Sequence, residues 1–225
     1  VDHFSALEGK KLNLLFDLDG TLTEPKTGIT RCIQYALERL GQTPPSEAEL
    51  VSYIGPPLSQ TFALFLGNDD ARVAQAVTFY RERFAEVGMY ENEVFAGMDE
   101  TLASFVADGH RLFLATSKPH YFAEKILHHF DLARHFEAIH GAEMDGTRQD
   151  KADLIAYILQ MEELSAAQTA MIGDRKHDIL GARANGVTAI GVLWGYGSAE
   201  ELAGAGATYL VEDQLSLRHT IQSQS

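Results

Sequence analysis

Asp17 and Asp19 stand two residues apart where the apolar run Lys11-Leu12-Asn13-Leu14-Leu15-Phe16 ends, inside Asp17-Leu18-Asp19-Gly20-Thr21-Leu22-Thr23. Residues i and i+2 of an extended chain lie on one side of it, so the two carboxylates are neighbours. Neighbouring carboxylates repel, and each takes up a proton unless a cation neutralises the pair. The spacing therefore fits either a bound divalent metal or an acid/base division of labour, and Gly20 lets the chain leave the strand sharply. A lone Asp-x-Asp is also the ordinary capped turn after a strand, so its meaning depends on what accompanies it.

Three further segments accompany it. Leu112-Phe113-Leu114-Ala115 runs into Thr116-Ser117-Lys118, hydroxyl residues at a second apolar run's end, although such residues also cap helices. Lys151 opens a segment whose apolar stripe is Leu154, Ile155 and Ile158. A cation is disfavoured at a helix N-terminus, so this lysine requires a neighbouring anion such as a bound phosphate, or else is a solvated surface residue. Met171-Ile172-Gly173-Asp174-Arg175-Lys176-His177-Asp178 ends a further run in one acid and places a second one helical turn later. Asp174 suits a hard cation as an oxygen ligand, and Asp178 suits holding that cation's water or orienting a basic residue.

The elements that must position these groups follow from periodicity. Short apolar runs at 11–17, 112–115, 138–140, 170–172 and 188–192 each give way to polar or glycine-rich sequence and then to a helical pattern. Such alternation predicts an α/β fold, a Rossmann-like parallel sheet covered by helices. One stretch breaks it. Ile29, Cys32, Ile33, Ala36, Leu37 and Leu40, and later Val73, Ala76, Val77, Tyr80, Phe84 and Val87, form helical stripes with no strand between them. Gly41, Pro44-Pro45, the capping-box pair Ser46 and Glu49, Gly55-Pro56-Pro57, Gly67 and Gly88 punctuate this stretch. The expected organisation is an α/β core of residues 1–24 and 92–225 with an inserted helical cap of residues 25–91.

The 225 residues are 45% hydrophobic and 22% charged, enough for a sizeable core, and carry a formal charge of −14. That charge argues against nucleic-acid polymers and anionic lipid as partners, and an anionic substrate must meet a locally positive site. No apolar run approaches the ~18 residues of a membrane span. A single cysteine, Cys32, and the lack of a secretory pattern at the start lead to the expectation of a cytoplasmic protein. Cys32 lies on a helical stripe and is expected to be a buried small hydrophobe. The nine histidines show no metal-ligand spacing, and Trp194, Gly195, Tyr196 and Gly197 suit a tight loop packed near the site.

The four segments, in this chain order, resemble the haloacid dehalogenase superfamily of phosphohydrolases. The resemblance implies Asp17 as nucleophile, Asp19 as general acid and base, Thr116 with the adjacent Ser117 and Lys151 as phosphate-binding groups, and Asp17, Asp19 and Asp174 as ligands of Mg²⁺. In the metal set Asp19 can contribute its backbone carbonyl, and Asp178 matches the second acid of the last motif. It also implies a small helical cap that selects the substrate. Asp19 argues against the dehalogenase and phosphonatase branches, which lack the second acid. The chain looks most like phosphoglycolate phosphatases and related 5′-nucleotidases, acting as a monomer or homodimer on a small phosphorylated metabolite. A phosphomutase of the same superfamily keeps both acids and stays open, as does, from another class, a phospho-accepting signalling module.

Overall fold

The computed structural model describes residues 11–67 and 69–222. In chain order the elements are β1 (Asn13–Phe16), β2 (Thr23–Glu24), α1 (Lys26–Arg39), α2 (Glu47–Leu50), α3 (Leu58–Leu66), α4 (Asp70–Arg83) and β3 (Glu93–Val94). They continue with α5 (Met98–Ala107), β4 (Arg111–Pro119), α6 (His120–His129), β5 (Ala138–Ala142), α7 (Lys151–Met161) and β6 (Thr169–Gly173). The last five are α8 (Lys176–Ala184), β7 (Thr188–Val192), α9 (Ala199–Ala205), β8 (Tyr209–Val211) and α10 (Gln214–Gln222). Two compact units result: the chain up to Thr23 with the chain from Val94 onward, and the segment Glu24–Glu93.

The first unit is an α/β layer structure around a six-stranded sheet of order β5-β4-β1-β6-β7-β8, with every pairing parallel. A strand buried on both faces must be apolar throughout, and β1, Asn-Leu-Leu-Phe, is buried at all four positions. Alternation then divides its side chains. Leu15 joins Phe113, Met171 and Ala189 beneath Leu154, Ile155 and Ile158 of α7 and Ile179 of α8. Phe16 meets Phe105 of α5 and Phe136, with ring centroids 6.3 and 6.2 Å away. Burial of each such side chain contributes roughly 1.5–3 kcal/mol, so this double-sided packing holds the central strand rigidly.

Register carries that rigidity to the sheet edge. Phe16 lies opposite Leu114 of β4 on one side and Ile172 of β6 on the other, so Asp17, Thr116 and Asp174 follow at the same edge of the sheet. Strand order reverses direction at β1, and open α/β sheets place ligands beside such a switch point.

The second unit is helical. The stripe of α1 is buried at Ile29, Cys32, Ile33, Ala36 and Leu37, while α4 buries Ala76 and Tyr80. Ser46 and Glu49 cap α2 reciprocally, and Pro57 stands at the start of α3, so Gly55-Pro56-Pro57 works as helix punctuation. A π-helical turn, Phe84–Gly88, follows α4. The short β2 and β3 pair where the chain enters and leaves this unit. The sixth strand of the main sheet, β8, has only three residues, too few for alternation to be seen in the sequence. Among the described residues no helix is long and apolar enough to cross a membrane.

Candidate active site

Asp17 follows β1 directly, its N–H donating to the Ile172 carbonyl at 3.0 Å, so the parallel ladder extends to Asp17. The chain then turns tightly. Gly20 N–H donates to the Thr23 carbonyl at 2.8 Å and Leu22 N–H to the Leu18 carbonyl at 2.9 Å. Gly20 has φ +83°, and a Cβ there would stand 2.3 Å from Asp174 Oδ2. Glycine is needed twice over, for its backbone angle and for the space the second acid occupies.

Lys151 resolves the anomaly of a cation at a helix start. Asp150 caps α7, accepting from the N–H groups of Ala152 and Asp153 at 2.8 and 3.3 Å. The Lys151 side chain is buried, and its Nζ lies 2.9 Å from Asp17 Oδ1, 2.8 Å from the Ala115 carbonyl and 2.7 Å from Asp178 Oδ1. The anions that the sequence reading sought in a bound phosphate include the protein's own carboxylates. Burial works to lower this ammonium's pKa, but the charges of Asp17 and Asp178 outweigh it and raise the value.

Ligand-capable oxygens of Asp17, Asp174 and Asp178 all lie within 4.8 Å of one another, and all three residues are buried. Asp174 has one oxygen, Oδ2, accepting from Tyr196 N–H at 2.8 Å, and the other, Oδ1, buried without a hydrogen-bond partner among the described residues. Burial, followed by the charges of Asp178 and Asp17, pushes Asp174 well above the usual carboxylate range. Burial also pushes Asp178 up to about 6, although Lys151 pulls it down. Asp178 Oδ2 accepts from Arg175 N–H at 3.1 Å, so this acid caps α8 while its other oxygen faces Lys151. Three crowded carboxylates against one ammonium form an oxygen-only donor set short of positive charge, which fits a hard divalent cation.

The Asp19 side chain is not part of that trio. Its Oδ2 pairs with Lys118 Nζ at 2.8 Å, with the two side chains 16% and 8% exposed, and its buried Oδ1 has no hydrogen-bond partner among the described residues. Burial raises the Asp19 pKa against the opposing pull of Lys118. Thr116 is buried at the end of β4, its Oγ1 accepting from Lys118 N–H at 3.2 Å, and Ser117 beside it is half-buried. A register shift in β4 between Thr116 and Pro119 marks this turn.

Two contributors were not legible as site residues: Lys118, hidden in an ordinary strand-end Thr-Ser-Lys, and the Tyr196 amide. The loop that presents that amide sits tightly on the site. Trp194 Nε1 donates to the Thr21 carbonyl at 3.0 Å, and a Cβ on Gly195 would stand 2.3 Å from Asp174 Cβ. Arg175 pairs with Glu201 at 2.9 Å. Cys32 is buried, as its stripe predicts.

Residues 14–192 match the family model of haloacid dehalogenase-like hydrolases. The chain belongs to that family. A 5′-nucleotidase of Pseudomonas aeruginosa is 52% identical, over 94% of this chain and 96% of that one. A phosphoglycolate phosphatase of Vibrio cholerae is 27% identical over 91% and 94%. Tyrosine-protein kinase PtkA of Mycobacterium tuberculosis is 39% identical over 83% of this chain, which spans 64% of that longer relative. Among solved structures, a predicted phosphatase from Clostridium acetobutylicum superposes with a TM-score of 0.89 at 39% identity, covering 94% of this chain and 99% of that one. This haloacid dehalogenase-like hydrolase is a phosphatase.

Proposed function

We propose that the protein hydrolyses a nucleoside monophosphate through an aspartyl phosphate on Asp17, with Mg²⁺ held by Asp17, Asp174 and the main-chain carbonyl of Asp19. The observation that carries this reading is the division of the acids. Asp17 sits with Lys151 and the other two carboxylates, whereas Asp19 stands apart with its own lysine. The preference for a nucleotide over phosphoglycolate rests on the 52% relative against the 27% one.

Asp17 attacks phosphorus as the ester P–O bond breaks, and the departing oxygen takes a proton from Asp19. Water then attacks the aspartyl phosphate and gives Asp19 a proton, and the bonding pair returns to Asp17. A carboxyl whose pKa is raised by burial is suited to carry that proton. Lys151 holds the Asp17 carboxylate and, with Thr116 and Ser117, serves the phosphoryl oxygens; Asp178 orients Lys151. When bound, Mg²⁺ supplies the positive charge that lets a dianionic phosphate approach carboxylates. The helical unit sets substrate choice, and the monomer or homodimer works in the cytoplasm.

The relative named as a tyrosine-protein kinase favours a second reading, in which an acceptor hydroxyl replaces water. One experiment separates the two. Phosphate release from nucleoside monophosphates, phosphoglycolate and sugar phosphates is followed with and without Mg²⁺, alongside acid-quenched detection of phosphoprotein. Hydrolysis is expected without any acceptor, to be lost on chelation and to return with Mg²⁺. Full activity after chelation, or cleavage of the ester that requires an acceptor hydroxyl and yields a new phosphate ester in place of free phosphate, would reject the proposal.

A further inference from the structure

Lys118 belongs to neither the nucleophile's ion pair nor the three-carboxylate group, yet its side chain is only 8% exposed and its ammonium pairs with Asp19. Burying a lysine is costly unless its charge has a partner, and here Asp19 Oδ2 is that partner. The other oxygen, Oδ1, is equally buried and has no hydrogen-bond partner among the described residues. The ammonium therefore grips the carboxylate by one edge, Oδ2, and fixes its orientation. The lysine's own main chain is anchored through its N–H to Thr116 Oγ1, so the cation is placed by the same turn that presents the phosphate-binding hydroxyl.

We propose that Lys118 is a positioning residue for Asp19, its ammonium fixing the carboxylate through Oδ2 in the orientation in which it meets leaving group and water. The inference rests on the acid/base reading of Asp19 and adds what holds that side chain. In the first half-reaction the Asp19 carboxyl gives its proton to the alcohol oxygen as the P–O bond pair moves there. In the second it receives a proton from water as the P–O bond to Asp17 breaks and its pair returns to that carboxylate.

The test compares Lys118→Met, Lys118→Arg, Asp19→Asn and the double variant of Lys118→Met with Asp19→Asn, all with Mg²⁺. The substrates are an activated aryl phosphate, whose alcohol leaves without much protonation, and an alkyl phosphate. The phenol burst counts folded, competent enzyme. With Lys118→Met the burst should persist within about threefold, while kcat on the alkyl ester and the dephosphorylation rate fall by about 10²-fold. Lys118→Arg should restore most of that loss, and adding Lys118→Met to Asp19→Asn should change nothing further. Equal losses on both esters, a rise in KM at unchanged kcat, or an additive double variant would overturn the role of Lys118 while leaving that of Asp19 intact. If Asp19→Asn itself shows no leaving-group dependence, the acid/base reading fails and this inference fails with it.

Discussion

Clustered carboxylates occur in both units, and they are treated in opposite ways. In the helical unit Glu91 accepts from Arg83 at 2.7 and 3.2 Å and from Arg31 at 3.0 Å, and Arg31 also reaches Glu47 at 3.3 Å. Two acids meet two arginines, and the hydrogen bonds of Arg83 hold Glu91 below the usual carboxylate range despite partial burial. In the α/β unit Asp17, Asp174 and Asp178 share Lys151, and burial with mutual repulsion drives Asp174 upward. The first arrangement is complete within the chain and stabilises the fold. The second is incomplete and calls for a cation, the usual mark of a site in which fold stability is sacrificed to ligand binding.

The sharpest way to break this contrast is Asp17→Asn. It should lower phosphatase activity by about 10⁴-fold or more and leave no phosphoprotein after acid quench, the outcome expected of the proposed nucleophile. Activity surviving within tenfold would show that the trio is only an ion-binding cluster.

Asp174→Asn comes next. Activity should fall by about 10²–10³-fold. In chelator, however, the variant should melt about 2–4 °C above the parent, the shift that ~1 kcal/mol gives at this chain length, because an uncompensated buried charge has been removed. Mg²⁺ should raise the melting temperature of the parent and have much less effect on the variant. A lower melting point for the variant in chelator would mean that the acid cluster is electrostatically complete after all.

Glu91→Gln tests the other side. It leaves Arg83 without its anion and should destabilise the protein by about 1–3 kcal/mol in denaturant titrations, while activity per folded molecule stays within about twofold. The pH sign follows from the lowered value. Glu91 is ionised in the fold at pH values where the unfolded chain, with an ordinary glutamate near pH ~4.3, has taken up a proton. Its contribution is therefore full above that value and lost as pH falls through the depressed one. Parent and variant stabilities should converge as acid is added below pH ~4, and a constant gap would contradict the assignment.

The smallest effect is expected from Leu58→Ala or Gln60→Ala in α3. Preference among phosphate esters should shift by about tenfold, the scale of a changed apolar contact, with phosphoprotein still formed. A uniform change across all substrates would remove substrate choice from the helical unit.

Much of the molecule was legible in its sequence because burial on two faces demands unbroken apolar runs. Residues 11–17, 112–115, 138–140, 170–172 and 188–192 announced five strands, and acids or hydroxyls after three of them marked the sheet edge that carries Asp17, Thr116 and Asp174. Helical stripes and capping residues likewise marked the inserted unit. Residue identity and local spacing suffice for such features, since strand, helix and cap depend on neighbours within a few positions.

What the tertiary structure alone decided is who pairs with whom. Asp17 and Lys151 are 134 residues apart in sequence and touch only because parallel strands and the start of α7 converge. That the Asp19 side chain pairs with Lys118 while Asp178 stands with Asp17 and Asp174 had no clear sequence signal beyond the spacing of Asp178 from Asp174, because four aspartates carry the same chemistry until burial and distance separate them. The Tyr196 amide is silent for a stronger reason: every non-proline residue has an N–H, and only the packing of its loop against Asp174 selects this one.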